Sequence, residues 1–295
     1  MNGRGAERPL FRPPAEAASV ILRVSYGCPH PACAFCGMYR DGAYEARPAE
    51  DVSRDLRRLA REQPETRRIF LADGDALQLG LDRLRALLDE LSAAFPDLAR
   101  VNSYANGSSI LALGPEGLSE LKRRKLHTLY MGLESGDEEL LKRMGKKDTA
   151  ENMVRAGVMA QAGGLHMSVM VLLGLSGRAG SARHAHATAS AVNRMQPRLL
   201  SALRVIPIPG TPLERWHRTG AFEMLTEREE IMEMREMIAG FELSGTVFRA
   251  NHASNAHPME ARFPKDKEAL LKALDALLAS GRLDRLQPSP SPLWM

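Results

Sequence analysis

The chain has 295 residues, 44% of them hydrophobic, which is enough to bury one large core without requiring a second domain. Its 40 Lys and Arg residues against 36 Asp and Glu residues give a net charge of +4, too small and too dispersed to indicate a nucleic-acid-binding protein. No apolar run approaches a membrane span, and the Pro-, Arg- and Gly-rich residues 1–18 lack the apolar core of a signal peptide. We therefore expect a cytoplasmic protein with a flexible N-terminal segment over residues 1–18.

From Ser19 onward, short apolar runs alternate with amphipathic segments, a pattern typical of βα units around a parallel sheet. It predicts strands at residues 20–25, 68–72, 100–104, 128–133, 167–173, 199–206 and 246–250. Helices are predicted at residues 48–61, 81–95, 116–124, 137–144, 150–162, 181–195, 227–239 and 266–279. Buried parallel strands need helices on their outer faces, and such a sheet curves toward a barrel. We expect an α/β fold: a partial or nearly closed (βα)6–7 barrel of parallel strands in residues 19–215, which residues 216–295 complete or cap.

Polar or glycine-rich segments follow every predicted strand. Barrels of this kind carry their functional sites at the C-terminal ends of the strands. Each segment alone is typical of an ordinary turn, but seven of them in phase predict one site at this rim. The segments begin at Cys28, Asp73, Tyr104, Glu134, Gly174, Pro207 and Asn251.

The first of these segments contains the only three cysteines of the chain, Cys28, Cys33 and Cys36, in a C-x4-C-x2-C pattern. Three thiolates can bind three irons of a [4Fe–4S] cluster and leave the fourth iron open to a ligand that is not protein. A closed zinc site that adds His30 is the alternative, although the prolines on both sides of His30 restrict its ring. A disulfide is the weakest option, because the number of cysteines is odd and no export signal is visible.

These segments, in this order over residues 19–213, resemble the radical S-adenosylmethionine (SAM) enzymes. The resemblance is strongest to the branch with the elongator catalytic subunit, the methylthiotransferases and the coproporphyrinogen oxidase-like proteins, although the family's most familiar motif has three residues between the first two cysteines. It implies a [4Fe–4S] cluster on Cys28, Cys33 and Cys36 whose open iron binds SAM. It also implies a reductant such as flavodoxin or ferredoxin, and a 5′-deoxyadenosyl radical that abstracts hydrogen from an unidentified substrate. With no further cysteine for a second cluster, enzymes that need one are disfavoured.

The resemblance also implies cofactor contacts beside the cysteine segment. Phe35 is the aromatic residue that the family places before the last cysteine. The segment Asp73, Gly74 and Asp75 stands where the family usually carries Gly-Gly-Glu, so its backbone and the Asp75 acid would meet the amino group of SAM. A strand-terminating turn is the alternative for this segment. Tyr104, at the end of the third strand, is a further expected cofactor contact.

The remaining expected cofactor contacts follow later strands. The segment around Glu134 matches the family's fourth-strand signature, and its carboxylate would accept hydrogen bonds from cofactor hydroxyls or the ammonium group. Lys146 stands where a basic residue commonly pairs with the cofactor carboxylate. Adenine would pack against Leu172 and Gly174 after the fifth strand and Ile206 after the sixth.

Residues 249–257 form a dense group of hydrogen-bonding side chains outside the part of the chain that resembles the family. We expect Asn251, His252 and Asn255 to face the barrel mouth and contact substrate or cofactor. A loop that uses its Asn and Ser side chains for its own backbone is the alternative. His184 and His186 lie two residues apart on a predicted helix, so they point in different directions and a metal pair there is not expected.

Overall fold

The computed structural model describes residues 10–40 and 44–283. Ten strands occur in these residues. They are β1 (Val20–Arg23), β2 (Ser25–Tyr26), β3 (Glu45–Ala46), β4 (Arg68–Ala72), β5 (Arg100–Tyr104), β6 (Leu126–Glu134), β7 (His166–Leu173), β8 (Leu199–Arg204), β9 (Val247–Arg249) and β10 (Glu260–Arg262).

Eight of these strands form one curved sheet in the order β1, β4, β5, β6, β7, β8, β9 and β10, while β2 and β3 pair separately. The first seven run parallel and β10 is antiparallel to β9. Within the described ranges β1 and β10 do not pair with each other, so the sheet is a partial barrel. The predicted α/β partial barrel is confirmed. Strand β10 was not predicted, because its sequence Glu-Ala-Arg offers only one apolar residue.

The helices cover the outer face of the sheet, and every predicted helix is present within a few residues at its C-terminal boundary. They are α1 (Ala49–Glu62), α2 (Leu81–Ala94), α3 (Gly107–Arg123), α4 (Glu138–Arg143), α5 (Ala150–Ala162), α6 (Ser181–Met195), α7 (Pro212–Arg218), α8 (Glu227–Ala239) and α9 (Lys267–Ala279). The first half of α3 was not predicted, because Gly114, at a φ of 67°, and Pro115 break the helix in its middle. Helix α7 was also not predicted, although Thr211 caps it and Pro212 begins it.

The two faces of the sheet carry different residues, because successive side chains of a strand point to opposite sides. Leu22, Ile69 and Leu71 belong to the large core between the sheet and the helices. Phe70 and Tyr130 belong to a separate cluster on the other face, the inside of the barrel. Each fully buried aliphatic side chain contributes roughly 1.5–3 kcal/mol. The outer core therefore holds the strands in register, and their C-terminal ends present the loops at one rim.

Part of the N-terminal segment enters the barrel. A short 3-10 helix, Pro14–Glu16, precedes β1. The buried carboxylate of Glu16 accepts hydrogen bonds from Ser19 Oγ (2.5 Å), Asn102 Nδ2 (2.8 Å) and the hydroxyl of Tyr130. These hydrogen bonds connect Glu16, within the segment predicted to be flexible, to β5 and β6. Residues 1–9 lie outside the described ranges.

The C-terminal residues extend the sheet beyond β8. Strand β9 pairs with β8 and carries β10, while Phe241, Phe248 and Phe263 pack together with ring centroids 5.6–6.4 Å apart. Helices α8 and α9 cover these strands. Residues 216–283 therefore add strands to the sheet and pack on its helical layer. None of the described helices has the length and apolar character needed to cross a bilayer.

Candidate active site

All three cysteines lie in the loop that follows β2, at the C-terminal end of β1. Gly27 begins this cysteine loop at a φ of 74°, which glycine adopts without steric cost. The backbone of His30 contacts two of the thiols: its N–H donates to Cys28 Sγ (3.4 Å), and its carbonyl accepts from Cys33 Sγ (3.7 Å). Cys33 is buried, and Cys28 and Cys36 are partly buried. One enclosed loop therefore holds the three free thiols.

Burial is the main cause that raises the pKa of each thiol, and for Cys33 it raises the pKa to about 12. Cys36 also raises the pKa of Cys28, and both raise the pKa of Cys33, so the three thiols lie within electrostatic reach of one another. Lys146 acts on each in the opposite direction. Buried thiols become ionised when they bind a cationic metal centre. The donor set therefore fits an iron–sulfur cluster.

The geometry of the same loop bears on the zinc alternative. In the part of the chain that the structure describes, no three His, Cys, Asp or Glu side chains are arranged to hold a single metal ion. A zinc ion needs all its ligands within about 2.0–2.3 Å, whereas the cysteines of a cluster each bind a different iron. The ring of His30 is buried, and its Nδ1 makes no hydrogen bond among the described residues. The arrangement therefore does not support a Cys3His zinc site.

Two glycines allow neighbouring segments to approach the cysteine loop closely. Gly74 donates its N–H to Gly27 O (3.1 Å), and a Cβ on Gly74 would lie only 3.0 Å from Cys28 Cβ. Gly145 has a φ of 69°, and a Cβ there would lie 2.7 Å from Ala32 O. Any side chain at either position would push against the backbone or a thiol-bearing residue. The loop is thus clamped between the end of β4 and the end of α4.

The structure places Asp75 inside the protein, with its carboxylate directed at the residues after β5. Its Oδ1 accepts from Leu77 N (3.1 Å) and Ser109 Oγ (3.0 Å), and its Oδ2 accepts from the backbone N (3.3 Å) and side-chain Nδ2 (2.9 Å) of Asn106. Burial raises the pKa of Asp75 to about 6, although these hydrogen bonds oppose the rise. Both oxygens are thus engaged by the protein. This placement favours a strand-terminating turn over a contact with SAM.

Asp73 is the acid on the side of the cysteine loop. Its carboxylate accepts from Gly27 N (3.3 Å) and forms an ion pair with Arg23 Nε (3.4 Å). Tyr39, three residues after Cys36, has a buried hydroxyl with no hydrogen bond among the described residues. Burial raises the pKa of Tyr39, and Asp73 raises it further. Sequence reasoning did not select Tyr39 or Arg23. The proximity of Tyr39 to Cys36 in sequence was the one available signal.

Glu134 and Lys146 meet beside the cysteine loop. Lys146 Nζ lies 3.2 Å from Glu134 Oε1, and both side chains are almost buried, with 8% and 13% exposed. Burial lowers the pKa of Lys146, but the charges of Glu134 and Cys33 raise it by more, so its pKa lies above the ordinary value. Glu134 has a φ of 63° and folds back over Gly132, which has no side chain to obstruct it. Two residues predicted separately therefore form one charged pair at the loop.

An apolar wall continues from the cysteine loop to the ends of β7 and β8. Phe35 and Leu172 pack in the same cluster as Leu175 and Val205, while Ala34 N bonds to the carbonyl of Met144 (2.8 Å). Ile206 follows Val205 and is partly buried. Of the residues expected to contact adenine, Leu172 thus shares a cluster with Phe35. Tyr104 lies deeper, with its ring 5.1 Å from Phe70 in the inner cluster.

A buried polar network supports this wall from behind, and sequence reasoning missed it. Gly174, at a φ of 76°, donates its N–H to Glu233 on α8 (2.6 Å). His184, also fully buried, contacts Ser135 Oγ through Nδ1 (2.8 Å) and Leu172 O through Nε2 (3.1 Å). Because a carbonyl only accepts, Nε2 carries the proton. His184 thus joins the loop after β6 to the end of β7, whereas His186 is exposed and faces Glu236.

The three residues predicted to contact substrate or cofactor near the C-terminus bond to the protein itself. Asn255 accepts from Arg204 N (2.8 Å) and donates to Ala202 O (2.8 Å), which satisfies β8 where the short β9 has ended. His252 Nδ1 contacts Ser254, and Asn251 donates to Glu260. The placement favours the alternative interpretation, a loop whose side chains satisfy the local backbone. It does not support substrate contact by these side chains.

Comparison with known proteins identifies the family. The model of the Radical SAM superfamily matches residues 22–179, more than half of the chain. An uncharacterised protein of Methanopyrus kandleri is 28% identical over 207 residues, which cover 62% of this chain and 38% of that protein. The chain therefore spans well under two thirds of the length of this relative.

Solved structures share the fold at low sequence identity. Coproporphyrinogen III oxidase (HemN) of Escherichia coli, a radical SAM enzyme, is similar with a TM-score of 0.56 and 17% identity, over 80% of this chain and 53% of that one. Elp3 of Methanocaldococcus infernus is similar with a TM-score of 0.54 and 12% identity, over 90% of this chain and 63% of that one. Methylornithine synthase (PylB) is similar with a TM-score of 0.53 and 15% identity, over 92% of this chain and 83% of that one. With the family match and the cysteine loop at the rim of a partial barrel, the chain belongs to the radical SAM superfamily, whose members use SAM and an iron–sulfur cluster.

Proposed function

We propose that this chain is a radical SAM enzyme with a single [4Fe–4S] cluster on Cys28, Cys33 and Cys36. The observation that carries the proposal is that the chain's only three cysteines share one enclosed loop at the C-terminal end of the sheet. Three cysteines leave one iron of such a cluster for a ligand that is not protein. When bound, the cluster held by Cys28, Cys33 and Cys36 would supply an electron for reductive cleavage of SAM, and SAM would supply the radical chemistry for hydrogen abstraction.

In this proposal the charged groups around the cysteine loop orient the amino-acid end of SAM. Lys146 is held beside the loop by Glu134 and carries a positive charge that attracts a carboxylate. Asp73 contacts the loop at Gly27 N, Glu134 pairs with Lys146 beside it, and either carboxylate can accept from an ammonium group. Asp75 acts indirectly by fixing the backbone after β4. Fixed charges of this kind orient a bound group without reorganisation at the moment of reaction.

In this proposal the apolar wall excludes water from the site. Phe35 and Leu172 belong to one cluster that adjoins the loop, so adenine bound against them would displace solvent from that side. Gly174 turns the chain away from the wall, and Ile206 is the remaining expected contact. A dry site protects a reactive radical from side reactions. The residues expected to bind cofactor thus divide into a charged side and an apolar side.

An external one-electron reductant, such as flavodoxin or ferredoxin, would reduce the bound cluster. The family match supports this requirement in general terms. We further propose that residues 19–215 bind the cluster and SAM and that residues 216–295 complete or cap the barrel.

Anaerobic reconstitution with iron and sulfide tests the cluster directly. We expect a brown protein with about four irons per chain. Cys36→Ala should remove the cluster, while Met232→Ala, which truncates a half-exposed sulfur-containing side chain on α8, should retain it. A colourless protein with one tightly bound zinc and no iron–sulfur absorption would overturn the proposal.

A further inference from the structure

Basic side chains gather at the N-terminal ends of the strands, opposite to the cysteine loop. Arg68 and Arg100 begin β4 and β5 and are direct neighbours in the parallel register. His127, near the start of β6, and His166, the first residue of β7, bring their rings within 4.4 Å. Side chains of like charge on neighbouring strands destabilise a sheet. A counter-charge at this end would therefore stabilise it.

The arginines lie on the inner face of the sheet. Residues two apart share a face of a strand, so Arg68 lies on the face of Phe70, and Arg100 lies on the face of Tyr104. Both aromatic rings belong to the cluster inside the barrel. The basic side chains therefore surround the N-terminal mouth of the barrel, beneath the aromatic cluster.

A cleft of about 810 Å³ opens at this mouth. Arg67, Arg68 and Arg100 line it, together with the acids Glu62 and Glu65 and the uncharged residues 63, 64 and 66. Glu62 is the neighbour of Arg58 (3.7 Å), and within the described ranges no ion pair joins an acid to any of the three lining arginines. The cleft is large enough for a small charged molecule.

The mouth also contains a donor that the protein does not use. Nε of Arg100 is buried and makes no hydrogen bond among the described residues. An unsatisfied buried donor is costly, so such atoms are rare and mark places where a ligand or water completes the structure.

Burial and nearby basic groups lower the pKa values of both histidines. Burial is the main cause that lowers the pKa of His127, and together with the charges of Lys122, His166 and Arg100 it brings that pKa to about 4. Burial lowers the pKa of His166 as well, followed by the charges of Lys122, Arg198 and Arg100. Nδ1 of His127 is engaged by Thr128 Oγ1 (2.8 Å), which leaves Nε2 for another partner.

We propose that this cleft binds a phosphate-type oxyanion through Arg67, Arg68 and Arg100, with His127 and His166 beside Arg100. Arginine matches phosphate because its planar fork of donors can bond two oxygens at once. The same chemistry occurs in a small phosphorylated molecule and in a nucleic-acid backbone. The site lies at the opposite end of the strands from the cysteine loop, so its existence does not depend on the proposed radical chemistry.

Calorimetric titration of the full chain with inorganic pyrophosphate, at constant ionic strength, tests the site. We expect saturable binding of one pyrophosphate per chain. Arg68→Gln with Arg100→Gln should weaken it by about tenfold or more, the effect of losing charge-assisted hydrogen bonds. Arg235→Gln is the matched control, because Arg235 pairs with Asp275 on the outside of α8. Equal affinity in the double variant, or no saturable binding, would overturn the proposal.

Thermal unfolding separates a ligand site from a structural one. The double variant, which lacks the uncompensated charges, should melt at or above the wild-type temperature, and pyrophosphate should raise the melting temperature of the wild type alone. A double variant that melts far lower would assign the arginines to structure and contradict the proposal. His166→Gln, a change at an exposed residue, is an independent variant that should also bind pyrophosphate more weakly. A short single-stranded oligonucleotide that competes with pyrophosphate identifies a phosphodiester ligand, and one that does not compete identifies a small phosphorylated molecule.

Discussion

Lys146 and Glu134 form an ion pair, with 3.2 Å between Nζ and Oε1, where the end of β6 meets the cysteine loop. Each residue was selected from sequence for a separate contact with SAM, and the fold brings them together. The pair explains why a lysine can remain charged while almost buried beside three thiols. It also gives the site a group that is positioned before any ligand arrives.

Lys146→Met should reduce both stability and SAM binding. Removal of one partner of a nearly buried ion pair leaves the other charge uncompensated, at a cost of about 3 kcal/mol in the free energy of unfolding. Lys147→Met is the matched control, because Lys147 is the exposed neighbour. Urea unfolding and equilibrium SAM binding measure the two effects. Unchanged SAM affinity in a folded Lys146→Met variant would remove Lys146 from the cofactor site.

Replacement of the two aspartates after β4 by asparagine should affect stability and SAM binding differently at the two positions. Asp75→Asn sets an amide against four donors and should lower the free energy of unfolding by about 1–3 kcal/mol. Asp73→Asn should mainly weaken SAM binding, because Asp73 contacts the cysteine loop. Parallel unfolding and binding measurements on both variants check this division of roles. A reversed pattern, with SAM binding lost only in Asp75→Asn, would restore the original sequence-based assignment.

Gly145→Ala should lower iron incorporation, whereas Gly80→Ala should not. Both glycines have a positive φ, of 69° and 79°, so alanine at either position is strained by about 1–2 kcal/mol. Only at Gly145 would the new Cβ press on the cysteine loop, 2.7 Å from Ala32 O, since nothing lies within 4 Å at Gly80. Iron content after reconstitution is the measurement. Equal iron content in the two variants would show that the clamp on the loop has no effect on the cluster.

Because of Glu233, the free energy of unfolding should fall as pH rises. Burial raises its pKa to about 7, against 4.5 in the unfolded chain, although the hydrogen bonds from Ser181 and Gly174 oppose the rise. A carboxyl whose folded pKa is raised binds its proton more tightly in the native state, so stability is lost between about pH 4.5 and 7, by about 3 kcal/mol at most. His184, with its pKa lowered to about 4, acts in the opposite sense. The difference in the free energy of unfolding between wild type and Glu233→Gln gives the contribution of the Glu233 carboxyl.

Urea unfolding at several pH values between 5 and 8 measures this difference. We expect wild type to lose stability relative to Glu233→Gln across this range. Glu242→Gln, a change at an exposed carboxyl shortly after the same helix, should run parallel to wild type. Parallel curves for wild type and Glu233→Gln would contradict the assignment of the raised pKa.

Sequence and structure agree where the signal is local. Strands such as β4 and β7 are mainly apolar or β-branched runs whose boundaries follow from composition, and the cysteine motif is contiguous. The role of Asp75 was not accessible from sequence, because it depends on Asn106 and Ser109, which reach Asp75 from the loop after β5 and the start of α3.

Residues that act through the fold were also missed. His184 was given no role, since its partners Ser135 and Leu172 lie on other elements. Asn255 was expected to contact a ligand, because the sequence does not reveal that β9 is too short to cover the end of β8. Polar residues near a rim are equally suited to satisfying backbone and to binding ligands, and only the tertiary contacts separate the two.

The central claim is that the cysteine loop supports reductive cleavage of SAM. The most direct measurement is anaerobic incubation of the reconstituted full chain with dithionite and SAM, followed by quantification of 5′-deoxyadenosine. The account predicts 5′-deoxyadenosine from the wild type and none from Cys36→Ala, with Met232→Ala equal to wild type. An intact cluster that yields no 5′-deoxyadenosine, or equal amounts from Cys36→Ala, would contradict it.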